Sequence, residues 1–289
     1  RKYDIKMEKI INIVKKNLKI GFMQGRLVGS ENKNFIQFFP EKNWKKELSL
    51  AKKNKLRLIE LTANISNLKK NPVFNSRLKN KFKIVMSKNK ITADSLTCDF
   101  FMEKPFFKLN NKNDFKLKSL LEKVIRVSQN IGIKKFIIPL VDNSSIKSLK
   151  EEKRINSYFK SERFLKNLNK NTLILFESDF KPKKLLSFIE KFNSKIFGIN
   201  YDSGNSASLN YKIKDEKIYF KYVKNIHIKD RFKFGKTVDL GKGNAQIEKL
   251  SKLIKKKNYY GNLILQTAIP EENFVQKLLE NKKYLENYL

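Results

Sequence analysis

Hydrophobic positions along the chain form short runs that predict β-strands. Runs of five or six residues, bounded by polar residues, are typical of strands buried in a sheet. Eight of them occur: LKIGFM (18–23), RLIEL (57–61), ITADSL (91–96), KFIIPL (135–140), TLILFE (172–177), FGINY (197–201), KNIHI (224–228) and NLILQT (262–267). We interpret these runs as the strands of one sheet.

Amphipathic stretches separate the runs and predict helices. They cover residues 44–54, 75–88, 114–130, 152–169, 182–192, 245–257 and 271–288, and the stretch 203–222 has the weakest helical pattern. Strands that alternate with helices at this interval indicate a parallel sheet with crossover helices. Eight such units fit a closed (β/α)8 TIM barrel, an α/β fold. An open doubly wound sheet is the alternative, but no Gly-x-Gly-x-x-Gly follows the first strand, which argues against its dinucleotide-binding version.

Residues 1–17 precede the first strand and carry apolar residues at helical spacing among lysines. This pattern fits a membrane-surface helix, a transit peptide or a helix packed against the domain. The acidic residues of the segment and its lack of a small-residue cleavage site favour the last of these. We therefore expect a short helical extension over 1–17 and a single barrel domain over 18–289.

The chain is strongly basic, with 64 Lys and Arg against 28 Asp and Glu and a formal net charge of +36. Such a charge attracts polyanions, including nucleic acids. The lysines, however, occur in every segment, and no block of aromatic residues alternates with them as in a stacking platform. We attribute the charge to a general compositional bias toward Lys, Asn, Ile and Phe and do not expect nucleic acid as a partner.

The single cysteine, Cys98, cannot form a disulfide within this sequence and indicates a reducing compartment. We interpret it as a buried structural thiol, because the only histidine of the sequence, which a nucleophilic cysteine would need, has a better assignment. No apolar run approaches the ~18 residues that span a bilayer. We therefore expect a cytoplasmic protein without a membrane partner; a homodimer is compatible with the sequence.

Polar side chains recur where the predicted strands end. In a parallel barrel these ends gather round one mouth, where such enzymes carry out their chemistry. The residues are Gln24, Arg26, Glu60, Asp94, Asp99, Asp142, Glu177, Asp202, His227 and Gln266. Each also has a local explanation: Glu60 could pair with a lysine, Asp142 could cap a helix and Asp202 could form an Asx turn.

The last four strands each end in a ligand-type side chain: Glu177, Asp202, His227 and Gln266. Carboxylate, imidazole and amide oxygen together suit one divalent ion, Mn²⁺, Mg²⁺, Co²⁺ or Zn²⁺, rather than a soft metal. Such an ion polarises the carbonyl and hydroxyl of a sugar and so favours an enediolate. The sequence therefore predicts a metal site at the barrel mouth.

Several segments together resemble the sugar phosphate isomerase/epimerase family of xylose-isomerase-like TIM barrels. The most specific are NYDSGNSASL and NIHIKDR; the others are IGFMQGRL, FFPEKNWKKELSLAKKNKLRLIEL, IIPLVDNSS, VDLGKGNAQIEKL and YYGNLILQTA. The resemblance implies metal ligands after strands five, six and seven, which match Glu177, Asp202 and His227. In that superfamily the fourth ligand is a glutamate, whereas this chain has Gln266.

The resemblance further implies that two glutamates act as a proton-transfer pair, one on each face of the substrate. Glu177 is then the catalytic base, whereas Gln266 can coordinate a metal but cannot accept a proton at neutral pH. One base favours aldose/ketose isomerisation on a single face over two-face epimerisation. The segment LILQTA looks like a subgroup that carries glutamine here, but Ile269 stands where that subgroup has an arginine.

Further residues are candidates for substrate binding. Lys229, Arg231 and the LGKGN segment with Lys242 could hold a substrate phosphate, near the usual phosphate position of these barrels; a plain turn before a helix explains LGKGN equally well. Arg26 beside Gln24 could bind the other end of a sugar. Glu60, Asp94 and Asp142 complete the predicted substrate-binding set.

Three classes of function are compatible with these residues. A metal-dependent sugar or sugar phosphate isomerase or epimerase fits best. A barrel with altered chemistry, which binds carbohydrate or acts as a lyase or dehydratase, is the alternative that Gln266 and Ile269 suggest. An endonuclease IV-like nuclease fits poorly, because that three-zinc design needs several histidines and this chain has 1.

Overall fold

A computed structural model describes residues 18–29, 37–109 and 111–289 of the chain. The predicted extension over 1–17 lies outside the described residues, so its helical character stays a prediction.

The predicted strands form a closed parallel barrel, which confirms the TIM barrel and excludes the open sheet. The barrel strands are β1 (Lys19–Met23), β2 (Leu58–Thr62), β3 (Thr92–Thr97), β4 (Lys135–Leu140), β5 (Leu173–Ser178), β6 (Phe197–Asp202), β7 (Val223–Ile228) and β10 (Asn262–Leu265). Their order round the barrel is β1-β10-β7-β6-β5-β4-β3-β2. Between β7 and β10 the chain forms a short antiparallel hairpin, β8 (Asp230–Arg231) and β9 (Thr237–Val238).

Helices connect the strands at the predicted intervals. The described α-helices are Trp44–Lys53, Ser76–Lys88, Phe100–Glu103, Asn111–Gln129, Leu149–Lys160, Glu162–Leu165, Pro182–Ile189, Ser203–Ser208, Ile213–Glu216, Ile247–Lys256 and Phe274–Glu286. The helix predicted over 152–169 is instead two helices, because Ser161 is extended and its hydroxyl accepts a hydrogen bond from the Phe164 amide. The weak stretch 203–222 contains two short α-helices and a final 3₁₀ turn.

Aromatic side chains fill the layer between the barrel and its helices. Phe159, Phe176 and Phe197 are all buried, and the rings of Phe176 and Phe197 are stacked with centroids 5.9 Å apart. Burying such a side chain contributes about 1.5–3 kcal/mol, so these contacts hold β5 and β6 firmly in place. Cys98 is fully buried, as predicted, and burial raises the pKa of its thiol.

Within the described ranges, no helix combines the length and apolar character needed to cross a bilayer.

Candidate metal centre

Glu177, Asp202 and His227 meet at the carboxyl end of the barrel, as predicted. They lie at or next to the ends of the adjacent strands β5, β6 and β7, and one ligand atom from each lies within 4.8 Å of the others. All three side chains are buried. Two carboxylates and an imidazole at this spacing fit a divalent ion of the Mn²⁺, Mg²⁺, Co²⁺ or Zn²⁺ type.

The imidazole of His227 is held between two carboxylates. Its Nε2 lies 2.6 Å from Glu60 Oε1, and its Nδ1 lies 3.2 Å from Glu177 Oε2. Burial alone would lower the pKa of His227, but the two carboxylates outweigh burial and raise it to about 10. Because Nε2 is committed to Glu60, Nδ1 is the atom that remains for an ion, which would replace the proton there.

Glu60 supports His227 from inside the barrel. It is fully buried and accepts hydrogen bonds from Thr97 Oγ1 at 2.7 Å and Asn225 Nδ2 at 2.9 Å. Burial alone would raise the pKa of Glu60, but the charge and hydrogen bond of His227 lower it. In the structure Glu60 contacts His227, so its predicted contact with a substrate stays a prediction.

Two asparagine side chains hold the carboxylate of Glu177. Asn200 Nδ2 donates to Oε2 at 2.7 Å, and Asn205 Nδ2 donates to Oε1 at 2.8 Å. Asn200 Nδ2 also lies 3.0 Å from His227 Nδ1. Each oxygen of Glu177 thus has a fixed direction, which suits a group that must face both an ion and a substrate.

The asparagines escaped sequence analysis, although the sequence contains a signal for them. Alternate residues of a strand point to the same face. Asn200 precedes Asp202 by two positions, and Asn225 precedes His227 by two positions, so both asparagines face the barrel interior beneath a ligand.

Asp202 caps a helix and also lies in the cluster of candidate ligands, two placements that the sequence had offered as alternatives. Its Oδ1 accepts a hydrogen bond from the Asn205 amide at 2.8 Å and caps the helix Ser203–Ser208. Its Oδ2 lies 3.4 Å from Lys229 Nζ. The cap fixes the carboxylate without excluding it from the ligand cluster.

Gln266 follows β10 and is almost fully buried at the mouth. Its Oε1 lies 3.4 Å from Lys229 Nζ, so that the ammonium group bridges Gln266 and Asp202. With the Gln37 amide oriented so that its oxygen faces Gln266 Nε2, Gln266 donates to Gln37 and the Gln37 nitrogen donates to Asp99. Lys229 is thus occupied inside the site, whereas the sequence predicted that it holds a substrate phosphate.

Gln24 and Arg26 lie on the β1 side of the mouth, where both are buried. Gln24 Oε1 accepts a hydrogen bond from the Thr62 amide at 3.2 Å, and Arg26 Nε donates to the Thr267 carbonyl at 2.9 Å. Burial lowers the pKa of Arg26 to about 10, against the attraction of Glu47 and Asp99. In this structure both side chains bind the protein itself, so their predicted substrate contact stays a prediction.

Asp94 does not belong to the site. Its carboxylate accepts a hydrogen bond from Asn262 at 2.6 Å and lies 3.3 Å from Lys135 Nζ, and these two residues begin β10 and β4. Asp94 therefore lies at the amino end of the barrel, and its prediction as a substrate contact is corrected. Asp99, just after β3, occupies the carboxyl end instead; burial raises its pKa to about 8, although a hydrogen bond from Thr62 opposes this.

The remaining candidates are more peripheral. Asp142 follows β4 with an exposed side chain and a positive φ of 50°, and it caps no helix. Lys242 is exposed and lies near Glu280, whose pKa it helps to lower after the nearer Gln276 and Lys277. Arg231 donates to the Gly235 carbonyl at 3.1 and 3.0 Å and to Asn205 Oδ1 at 3.3 Å. Arg231 thus positions Asn205, which in turn positions Glu177.

Solved structures with the same fold include several sugar epimerases. A D-allulose 3-epimerase from Methylomonas sp. has a TM-score of 0.73 at 14% identity, with 94% of this chain and 98% of that chain covered. A D-psicose 3-epimerase from Clostridium cellulolyticum H10, solved with D-tagatose, has a TM-score of 0.70 at 11% identity, covering 94% and 99%. The IOLI protein with a bound zinc atom has a TM-score of 0.70 at 15% identity, covering 94% and 99%. At these identities the similarity shows the fold alone.

Among curated proteins, no significant match to this sequence was found. Residues 48–287, by contrast, match the xylose isomerase-like TIM barrel family. The closed barrel, with its polar cluster at the carboxyl end, agrees with that match. The chain belongs to the xylose isomerase-like TIM barrel family.

Proposed function

We propose that the protein is a divalent-metal-dependent isomerase or epimerase that acts on a sugar or sugar phosphate through an enediolate. The observation that carries the proposal is the cluster of Glu177, Asp202 and His227, with ligand atoms within 4.8 Å of one another. The bracing of His227 by Glu60 supports it, because metal-binding histidines commonly donate their other ring N–H to a carboxylate.

Glu177, Asp202 and His227 would hold the ion, and the carbonyl oxygen of Gln266 is a fourth candidate ligand. A bound ion supplies Lewis-acid polarisation of the substrate carbonyl and hydroxyl. Glu177 is the proposed base, which removes the proton from the carbon next to the carbonyl. Its two asparagine partners fix the direction in which it takes and returns that proton.

The identity of residue 266 favours proton transfer on one face of the substrate. Glutamine carries no titratable proton, so the Gln266 side chain cannot return a proton from the face opposite Glu177. If Glu177 takes the proton from one carbon and returns it on the same face to the neighbouring carbon, while a proton passes between the two substrate oxygens, an aldose and a ketose interconvert. Epimerisation, the activity in the names of several neighbours, would need an acid other than residue 266 on the face opposite Glu177.

The alternative, a barrel with altered chemistry that binds carbohydrate or acts as a lyase or dehydratase, has one observation in its favour. The ammonium group of Lys229 lies 3.4 Å from both Asp202 and Gln266. A cation is thus already present beside two of the four proposed ligands. The proposal therefore depends on whether the site still binds a divalent ion.

Elemental analysis of the purified protein tests this directly. We expect one divalent ion in the wild type and its loss in both Glu177→Gln and His227→Ala. Asp94→Asn is the matched control, because it removes a carboxylate at the other end of the same barrel. A wild type that binds no ion after addition of Mn²⁺ or Zn²⁺ would refute the proposed metal-dependent isomerase or epimerase and support the barrel with altered chemistry.

A further inference from the structure

The loop after β9 contains a cluster of backbone N–H groups that bind an anion belonging to the protein itself. The carboxylate of Asp230 accepts hydrogen bonds from Gly241 at 2.9 Å, Gly243 at 2.9 Å and Ala245 at 2.8 Å. Asp230 is fully buried. The three amides directly precede the helix Ile247–Lys256, and we call them the amide cluster.

The local sequence is shaped around this carboxylate. A Cβ atom at Gly243 would lie 2.3 Å from Asp230 Oδ1, so only glycine fits there. Gly241 has a positive φ of 85°, which glycine adopts without strain. The backbone amides of the LGKGN segment therefore bind Asp230. Of the two interpretations that the sequence left open, a phosphate-binding segment and a turn before a helix, this contact supports the turn.

The position of the amide cluster matters because backbone N–H groups at a helix N-terminus, late in a barrel of this type, are a common binding site for phosphate. Here each of the three amides already has a charged acceptor. A phosphate at this place would have to displace Asp230 or lie beside its negative charge without hydrogen-bond donors, and both are costly.

Two of the three basic side chains predicted to bind phosphate, Lys229 and Arg231, are also occupied. Lys229 bridges Asp202 and Gln266, and the Arg231 guanidinium group donates to Gly235 and Asn205. Lys242 is exposed near Glu280. Lys229 and Arg231 are therefore held by acceptors of the protein itself, and of these three cations only Lys242 faces solvent.

We infer that the substrate is an uncharged, unphosphorylated sugar, and that Asp230 is a built-in anion in the place where related barrels can bind phosphate. The inference deepens the proposed function and rests on it. Hydroxyl and carbonyl groups of a neutral sugar need only the ion and the polar groups around Glu177, Gln24 and Gln266.

Activity of the metal-loaded wild type tests the substrate class. Free ketoses and the phosphate esters of the same ketoses are incubated in D₂O, and NMR follows both the formation of the isomeric sugar and the exchange of the carbon-bound proton. We expect exchange with at least one free ketose and a preference over its ester of about tenfold or more in kcat/KM. Exchange that is faster with the ester overturns the inference.

If the wild type contains its ion but neither exchanges nor isomerises either kind of sugar, the proposed function fails and the substrate inference falls with it. If exchange occurs but favours the ester, the proposed function stands and only the inference is wrong. The two failures are therefore distinguishable.

A second measurement tests the amide cluster without any substrate. Asp230→Ala frees the three amides, and inorganic phosphate should then raise the Tm of the variant more than that of the wild type, with chloride at equal ionic strength as the control. Asp230→Asn retains an acceptor oxygen and should respond less than Asp230→Ala. A wild type that phosphate stabilises as strongly as the alanine variant would contradict an occupied cluster. If Asp230→Ala does not fold, the response of the wild type to phosphate and the exchange experiment still decide.

Discussion

The two halves of the barrel mouth differ in charge. The half formed by β5, β6 and β7 presents Glu177, Asp202 and His227, which are all ionisable. The half formed by β10 and β1 presents the amides Gln266 and Gln24 together with the buried cation Arg26, which donates to the Thr267 carbonyl. We call these the acid half and the amide half.

The difference indicates where an ion and a substrate would bind. A divalent ion is attracted to the acid half, whose carboxylates have fixed directions. Neutral amides neither attract an ion strongly nor titrate, but they donate and accept hydrogen bonds as hydroxyl groups do. An ion held from one side and a sugar contacted from the other is the simplest arrangement that the residues allow, and four substitutions test it.

The largest effect is expected from replacing Glu60, which holds His227 in the acid half. Glu60→Ala leaves the buried His227 imidazolium without its 2.6 Å partner, and breaking one side of a buried ion pair costs about 3–5 kcal/mol. Urea unfolding of the metal-free protein measures this cost. Glu60→Gln is the matched control: it keeps an acceptor for Nε2, so it should lose less stability, whereas its metal affinity should fall about 10- to 100-fold. Equal stability of Glu60→Ala and wild type would contradict the bracing role.

A second prediction concerns a buried acid behind the amide half. Glu47 accepts hydrogen bonds from the amides of Gly25 at 2.7 Å and Leu27 at 3.3 Å through Oε1, whereas its buried Oε2 has no partner among the described residues. Burial raises the pKa of Glu47 to about 7. Between pH ~4.5 and ~7 the unfolded chain loses this proton and the folded protein keeps it, so stability falls as pH rises through that window.

Glu47→Gln keeps an oxygen for the two amides and abolishes the ionisation. Its stability relative to wild type should therefore increase from pH ~4.5 to ~7 and then level off, with a total gain of about 3 kcal/mol. Denaturant unfolding across this pH range measures the difference. Glu41→Gln, an exposed acid that pairs with Lys70, is the control and should show little such trend. A pH-independent difference for Glu47→Gln would contradict the burial of a protonated acid.

The sequence predicted the barrel well because its strands are buried on both faces. Such strands are nearly continuous apolar runs, and every predicted strand is present within one or two residues of its expected bounds. The helix break at Ser161 was missed because it depends on a single side-chain cap, which competes with a helical pattern that continues on both sides.

The site was predicted less completely, for a different physical reason. Which residues end a strand follows from the local pattern, and this gave Glu177, Asp202 and His227. Which partner each polar group chooses depends on contacts between distant strands, such as Glu60 with His227, 167 positions apart. Asp94 illustrates the same dependence on distant contacts. The sequence suggested that it lies near the carboxyl end of β3, but the register of β3 against β4 places it at the amino end of the barrel.

The third prediction converts the amide half toward the acid half. Gln266→Glu adds a carboxylate next to the proposed ion, and at the effective dielectric of such sites this should tighten metal binding by about 10- to 100-fold. Isothermal titration with Mn²⁺ or Zn²⁺ measures the affinity. Gln266→Met is the control and separates two roles: weaker binding than wild type supports coordination by the amide oxygen, and unchanged affinity assigns Gln266 to substrate alone. A glutamate variant that binds the ion no better than wild type would contradict the assignment of position 266 to the site.

The smallest effect is expected at Lys229, the residue between the two halves. Its ammonium group lies 3.4 Å from Asp202 Oδ2 and so repels an ion that shares this ligand. Lys229→Met removes that charge and keeps most of the side-chain volume, and the metal affinity should rise up to about tenfold. Lys229→Arg, which keeps the charge, should leave the affinity near that of wild type. If Lys229→Met instead weakens metal binding, the lysine stabilises the ligands by holding the side chains of Asp202 and Gln266 in position. The two halves would then form one connected site.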